Sequence, residues 1–192
     1  MCGRYYIDDE TYYEIQNIVS DMDRRIRNTW NRDILPTESA PVMISSENER
    51  ILKPLSFGYR SGTNHGLIIN ARVESVNEKP MFQNGMRYRR AVVPATHFYE
   101  WNALKEKSTF RRTDGGTLFF AGLWNAQEQF VIMTTAANSS MKTVHDRMPL
   151  VLERGQLNDW LFDTEAALEI IRQEPVLLHR ESEYEQMTLF TL

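Results

Sequence analysis

Cys2 is the only cysteine among 192 residues, and it follows Met1 directly. Methionine aminopeptidases remove an initiator Met when the next side chain is small, and Cys qualifies, so the mature chain would begin with a 1,2-aminothiol. An α-amine titrates near 8 against about 10.4 for a lysine, which leaves a useful neutral, nucleophilic fraction at pH 7. Such an amine condenses with an aldehyde to an imine. The neighbouring thiol can then add to the imine carbon and close a five-membered thiazolidine, favoured because both nucleophiles belong to one residue. The plainer alternative is a cysteine without function near a frayed chain end.

Three further segments carry chemistry-bearing side chains. Ile69-Asn70-Ala71-Arg72-Val73-Glu74 follows a short apolar run. An Asn there can donate to a substrate oxygen or organise a turn, and Arg72 can grip a phosphate or pair with Glu74 at the surface. In Val92-Val93-Pro94-Ala95-Thr96-His97-Phe98-Tyr99-Glu100-Trp101, a carboxyl between Tyr and Trp is either partly desolvated and suited to acid–base work, or exposed between two buried aromatics. Thr134-Thr135-Ala136-Ala137-Asn138 leads through a short helical stretch to His145-Asp146-Arg147-Met148-Pro149. His145 sits among polar neighbours, where a loop side chain can face a cleft, although a lone His is more often structural. No His/Asp/Glu set has metal-ligand spacing, and there is no Gly-rich phosphate loop or nucleophile elbow.

The elements that must position these residues follow from patterning. Asp8 or Asp9 caps a helix expected to run to about Met22, with Tyr12, Ile15, Val19 and Met22 on one face. Short β-branched or aromatic runs predict strands at 40–45, 51–57, 66–69, 90–94, 117–123 and 129–134, the fifth entered by a Gly115-Gly116 turn. Helices are expected at 156–162 and 164–173, the second capped by Asp163 and stopped before Pro175. Strands in the middle with helices at the ends and in connections indicate α+β, without repeating βαβ units.

Composition bounds the answer. With 42% hydrophobic, 25% charged and 11% aromatic residues, the chain can bury a core without staples and is neither disordered nor collagen-like. A single thiol allows no internal disulfide and no Cys-rich zinc site, and the first twenty residues hold no secretory apolar core. A cytoplasmic location is the expectation. The net charge of −4 argues against bulk attraction to nucleic acid, but it is unevenly spread. Residues 85–112 carry seven basic side chains against two acids, and 153–192 carry nine acids against three arginines. Charge alone favours a solvated surface hairpin over a phosphate-binding face.

Taken together and in this order, MCGR, NARVES (70–75), VVPATHFYEW (92–101), AGLW (121–124), TTAAN (134–138), HDRMPLVL (145–152) and Trp160-Leu161 resemble the SRAP family, also called abasic site processing proteins. The likeness spans about residues 1–161 of a single SRAP domain over 1–192, with the role of 162–192 unassigned. It implies an α+β domain with a β-rich, barrel-like sheet core and flanking helices. It also implies a protein that recognises abasic sites in single-stranded DNA, including fork or 3′ junction DNA. Such a protein, expected to be a monomer without cofactor or metal, becomes covalently attached through its N-terminal cysteine. By position, Cys2 resembles the residue that forms the thiazolidine, Asn70 the one that orients amine and sugar, Glu100 the catalytic glutamate, and His145 the histidine near the opened sugar. Arg4, Arg72, Thr134 and Arg147 match positions lining the DNA path or site, and Pro36 matches a loop beside the DNA. The resemblance further implies latent strand-cleaving lyase activity and removal of the chain's own Met1.

Three departures bear on DNA contact. Asp33 and Leu35 stand before Pro36 where the family carries Asn and Ala, Phe57-Gly58 replaces Trp-Gly, and no Trp occurs at 59–66. Two other functions fit the residues: an N-terminal-nucleophile cysteine peptidase using Cys2, His145 and Asn70, and a noncovalent single-strand binding module using arginines 87–112.

Overall fold

Asp8 opens the first helix by accepting the Thr11 amide at 2.8 Å, with Asp9 and Glu10 in the first turn, where the helix dipole favours acids. The structure, a computed structural model, describes residues 2–26, 30–60 and 66–182. Its helices are α1 (Asp9–Gln16), α2 (Pro80–Tyr88), α3 (Leu157–Phe162) and α4 (Thr164–Ile170). The first strands are β1 (Tyr5–Ile7), β2 (Asp21–Met22), β3 (Arg32–Ile34), β4 (Ser39–Ser46) and β5 (Glu49–Phe57). There follow β6 (Tyr59–Arg60), β7 (Leu67–Ile68), β8 (Asn70–Arg72), β9 (Arg90–Ala95), β10 (His97–Trp101) and β11 (Lys107–Arg112). The last are β12 (Leu118–Trp124), β13 (Gln129–Ala136), β14 (Arg147–Pro149), β15 (Val151–Leu152) and β16 (Leu178–Ser182).

The fold is α+β. Strands β13, β12, β9, β4 and β5 are joined in that order by antiparallel pairing, and β5 returns to β13 in parallel, closing a ring. A second sheet, in the order β16-β11-β10-β1-β3, packs beside it. Ring strands β9, β12, β13 and the middle of β4 bury both faces, which explains their apolar runs, whereas β5 is buried only at intervals. Ala91, Val93, Leu118 and Phe120 face one cluster with Tyr5, Phe98 and Phe110 of the second sheet. Val92, Phe119, Ala121 and Leu123 face another, with Ile15, Phe82 and Trp160 from the helices.

Four of the six expected strands lie within observed ones of similar extent, that at 117–123 is shifted by one residue in β12, and that at 66–69 shortens to β7. Helix α1 ends at Gln16 rather than near Met22, because Asp21 and Met22 leave the helix to pair in parallel with Ile51 and Leu52 of β5. Residues 138–145 form turns instead of a helical stretch. Asn138 stitches them, accepting from the Ser140 amide and hydroxyl at 3.1 and 2.6 Å and donating to the carbonyls of Pro175 and Val176. The segment 178–182, unassigned from sequence, is the edge strand β16 beside β11.

The basic run at 85–112 does not form one face. Arg90 is buried and donates to the carbonyls of Met86 at 2.6 Å, Arg87 at 3.2 Å and Trp160 at 2.5 Å, and to the Thr164 hydroxyl at 3.0 Å. It therefore caps the carboxyl ends of α2 and α3 together. Arg89 lies over the Trp124 ring, and Arg112 is paired with Asp114 and Glu153.

Candidate active site

The amino-terminal segment joins the second sheet as the partner of β10. Tyr5 lies opposite Phe98, Tyr6 opposite His97, and the Tyr99 amide donates to the Arg4 carbonyl at 3.1 Å. Side chains alternate along β10, so Phe98 and Glu100 are buried while Trp101 is exposed and Tyr99 half-buried. This inverts the exposed-acid alternative: Glu100, only 4% exposed, is the inward residue, and its aromatic neighbours face out.

Cys2 is 1% exposed and belongs to the cluster of Tyr5 and Phe98. Burial first, and the negative charge of Glu100 second, push its thiol well above the ordinary range, with a hydrogen bond from the Arg4 amide opposing them. The thiol is therefore protonated at neutral pH, and a nearby base must take its proton before sulfur can act. Burial, followed by the proximity of Cys2, also raises the phenol of Tyr5.

Asn70 begins β8, which runs parallel to β13 with Asn70 opposite Ile132 and Arg72 opposite Thr134. The Asn70 amide nitrogen donates to the Cys2 carbonyl at 3.5 Å and the Ile132 carbonyl at 3.4 Å, both long hydrogen bonds. Its Oδ1 is buried and has no hydrogen-bond partner among the described residues. Cys2, Asn70 and Glu100, distant in sequence, thus meet at the edge where the second sheet abuts the ring.

His145 lies further along the same wall. Val144 and Met148, on either side of it, pack into the cluster that holds Cys2. The His145 Nδ1 accepts the Arg147 amide at 2.9 Å. Arg147 grips Glu74 with both terminal nitrogens, at 2.5 and 2.8 Å, and donates to the Thr134 carbonyl at 2.7 Å. The sequence offered Arg72 as the surface partner of Glu74; the bidentate pair is with Arg147, and Arg72 is left exposed at the end of β8. Thr134 is fully buried, its hydroxyl unpartnered among the described residues.

Arg4 and Pro36 lie beside β1 and β3 of the second sheet. Arg4 is ion-paired with Asp33 of β3 and lies 5.2 Å from the Tyr99 ring centre. Beyond β3, the Glu38 amide donates to the Leu35 carbonyl at 3.1 Å, closing a turn with Pro36 second and Thr37 third at φ 77°. That is a type II turn with a non-glycine in the left-handed position. Glu38 supports it by accepting the Leu35 amide at 2.8 Å. Sequence reasoning missed Asp33 and Glu38 as partners and matched Glu74 with Arg72 instead of Arg147; an acid near each matched arginine or turn was the available signal.

The profile of the family described as SOS response associated peptidase (SRAP) matches residues 1–189. The chain belongs to the SRAP family. Among its SRAP relatives, the abasic site processing protein YoqW of Bacillus subtilis is 30% identical over 181 residues, covering 84% of this chain and 80% of the relative. YedK of Escherichia coli, of the same description, is 27% identical over 176 residues, covering 84% and 79%. A phage-related protein from Bordetella bronchiseptica has the same fold at a TM-score of 0.74 and 25% identity, covering 94% of this chain and 93% of that one. A second Bordetella bronchiseptica protein superposes at a TM-score of 0.76 with 20% identity, covering 94% and 99%. Among the described residues, no three His, Cys, Asp or Glu side chains are placed to hold a metal ion, and no helix is long and apolar enough to cross a membrane.

Proposed function

We propose that this SRAP protein processes abasic sites in single-stranded DNA by capturing them covalently on Cys2 once Met1 has been removed. The observation that carries the reading is the meeting of the Cys2 thiol, the Glu100 carboxylate and the Asn70 amide in one buried corner. The α-amine adds to the C1′ aldehyde of the ring-opened sugar, and water leaves to give an imine. The thiol then adds across the C=N bond: the S–C bond forms, and the thiol proton ends on nitrogen. An imine alone is an electron sink that promotes β-elimination and strand cleavage; ring closure removes that sink and shields the lesion.

Each group has work matched to its surroundings. Glu100 carries the proton released in dehydration and in thiol addition, which the neutral, buried thiol requires. The vacant Oδ1 of Asn70 accepts an amine N–H and aims its lone pair at the aldehyde. His145 serves the O4′ hydroxyl as the sugar opens. Arg4, Pro36, Arg72 and Arg147 flank the DNA path, the buried Thr134 lines the site behind Arg147, and the acting species is the monomer. Fork or 3′ junction DNA is a further substrate form, and cleavage of the chain's own Met1 is the extent of its peptidase activity. A general cysteine peptidase is less well supported: such enzymes depress the thiol pKa beside an imidazolium, whereas burial and Glu100 raise it here.

The test is Cys2→Ser incubated with an abasic single strand, beside wild type and undamaged strand. Wild type is expected to give a heat-stable adduct with the abasic strand only. The variant, which keeps the amine, is expected to stop at the imine, trappable by borohydride, and to cleave the strand. A heat-stable adduct from the variant without borohydride would refute the assignment, and salt-sensitive binding without any adduct in wild type would favour a noncovalent module.

A further inference from the structure

We propose that Glu74 is a positioning residue for His145, acting through Arg147 and tying the Asn70 segment to the His145 loop. The inference deepens the proposed function and rests on its role for His145. Strand β8 carries Asn70 and passes directly into a single helical turn, Val73–Ser75, which presents Glu74. The Glu74 carboxylate meets the Arg147 guanidinium in a two-bond fork, and the same guanidinium donates to the Thr134 carbonyl. Thr134 lies opposite Arg72 on one side and Pro149 on the other. One side chain thus fastens β8, β13 and β14 where they converge.

The fastening reaches His145 through the Arg147 main chain. The Arg147 amide donates to Nδ1 of His145 at 2.9 Å, so the neutral ring carries its proton on Nε2. Asp146 competes, with Oδ1 also 2.9 Å from Nδ1, but it can bond there only when Nδ1 is protonated. Asp146 is 85% exposed and its pull is weakened by water, whereas the Arg147 amide is fixed by β14 pairing and by the guanidinium clamp. The charged groups around the loop are Glu74, Arg147, Asp146, Lys142 within the turn, Arg180 of β16, which donates to the Thr143 hydroxyl at 3.4 Å, and, more distantly, Arg72. An ordinary surface ion pair would have little such leverage, but the Arg147 side chain is only 11% exposed and its contact is bidentate.

The experiment compares wild type, Glu74→Gln and Glu74→Ala. Nitrogen-15 spectra of histidine-labelled, DNA-free protein, with the His145 signals assigned from His145→Gln, report which ring nitrogen bears the proton. Wild type is expected to show the Nε2–H form, Glu74→Ala a mixture of both tautomers, and Glu74→Gln an intermediate, since Gln keeps one acceptor for Arg147. At saturating abasic strand, Glu74→Ala is expected to slow adduct formation about three- to thirtyfold, with binding affinity unchanged or tighter. Tighter binding with an unchanged rate would show that Glu74 merely fills a phosphate seat on Arg147, and would overturn the proposal. So would an unaltered His145 spectrum in Glu74→Ala. Thermal melts confirm that the variants are folded. If wild type forms no adduct, the functional reading fails, while the spectra still decide the clamp.

Discussion

Arg90 offers the sharpest test of how this fold is held. It is the first residue of β9, which runs through Thr96 into the strand bearing Glu100, and its buried guanidinium bridges two helix ends. In Arg90→Met the carbonyls of Met86 and Trp160, held at 2.6 and 2.5 Å, lose their donor in a buried setting. Each orphaned buried acceptor costs about 1–3 kcal/mol, and removing the charge recovers part of its desolvation cost, so the net loss is about 3–4 kcal/mol. For a chain of this length each kcal/mol corresponds to about 2–4 °C, giving a fall in Tm of roughly 6–16 °C. Arg90→Lys, whose single ammonium reaches one helix end at a time, is expected to lose about half as much. Urea or thermal unfolding followed by circular dichroism measures both, and adduct formation by the folded fraction at low temperature is expected to match wild type. A loss under about 1 kcal/mol for Arg90→Met would refute the reasoning, because it would mean that water satisfies those carbonyls.

Alkaline pH tests the buried corner. Cys2, Tyr5 and Tyr59 are all pushed upward, chiefly by burial, so the folded state keeps protons that the unfolded chain gives up. Their stabilisation is complete below the unfolded values, about 8.5 for a thiol and about 10 for phenols, and is lost as pH rises beyond them, at about 1.4 kcal/mol per pH unit for each group. Between pH ~8.5 and ~10, wild type should lose about 2 kcal/mol that Cys2→Ser does not; parallel curves in denaturant titrations would contradict the burial of the thiol. Glu100→Gln is expected to slow both adduct formation and its reversal by about two orders of magnitude or more, and gel time courses with unchanged rates across pH would remove Glu100 from proton transfer.

Much of the site was legible because its chemistry is written in residue type and local order. An aminothiol at the start of the chain, N-A-R after a strand, Y-E-W and H-D-R-M-P are each short and each name a side chain. The central strands could be read for a related reason: both faces of β9 and β12 are buried, so Val92-Val93 and Phe119-Phe120 stay apolar without interruption. The strands carrying polar residues were not legible. Strands β8, β10 and β11 hold Asn70, Glu100 and Lys107 because neighbouring strands satisfy their backbone groups, and that pairing is long-range.

The sequence by itself determined which reactive groups the chain owns, that it has one thiol, and that its middle is strand-rich. Only the tertiary structure decided which way they face. A strand's side chains alternate with period two, so register alone settles whether Glu100 or its aromatic neighbours enter the core, and pairing of β10 with β1 turns Glu100 toward Cys2. Charge is likewise a matter of placement. Arg90 looks like part of a basic face in the chain but spends its charge on two helix ends, and Glu74 looks like the neighbour of Arg72 but is taken by Arg147, which a crossing of three strands brings within reach.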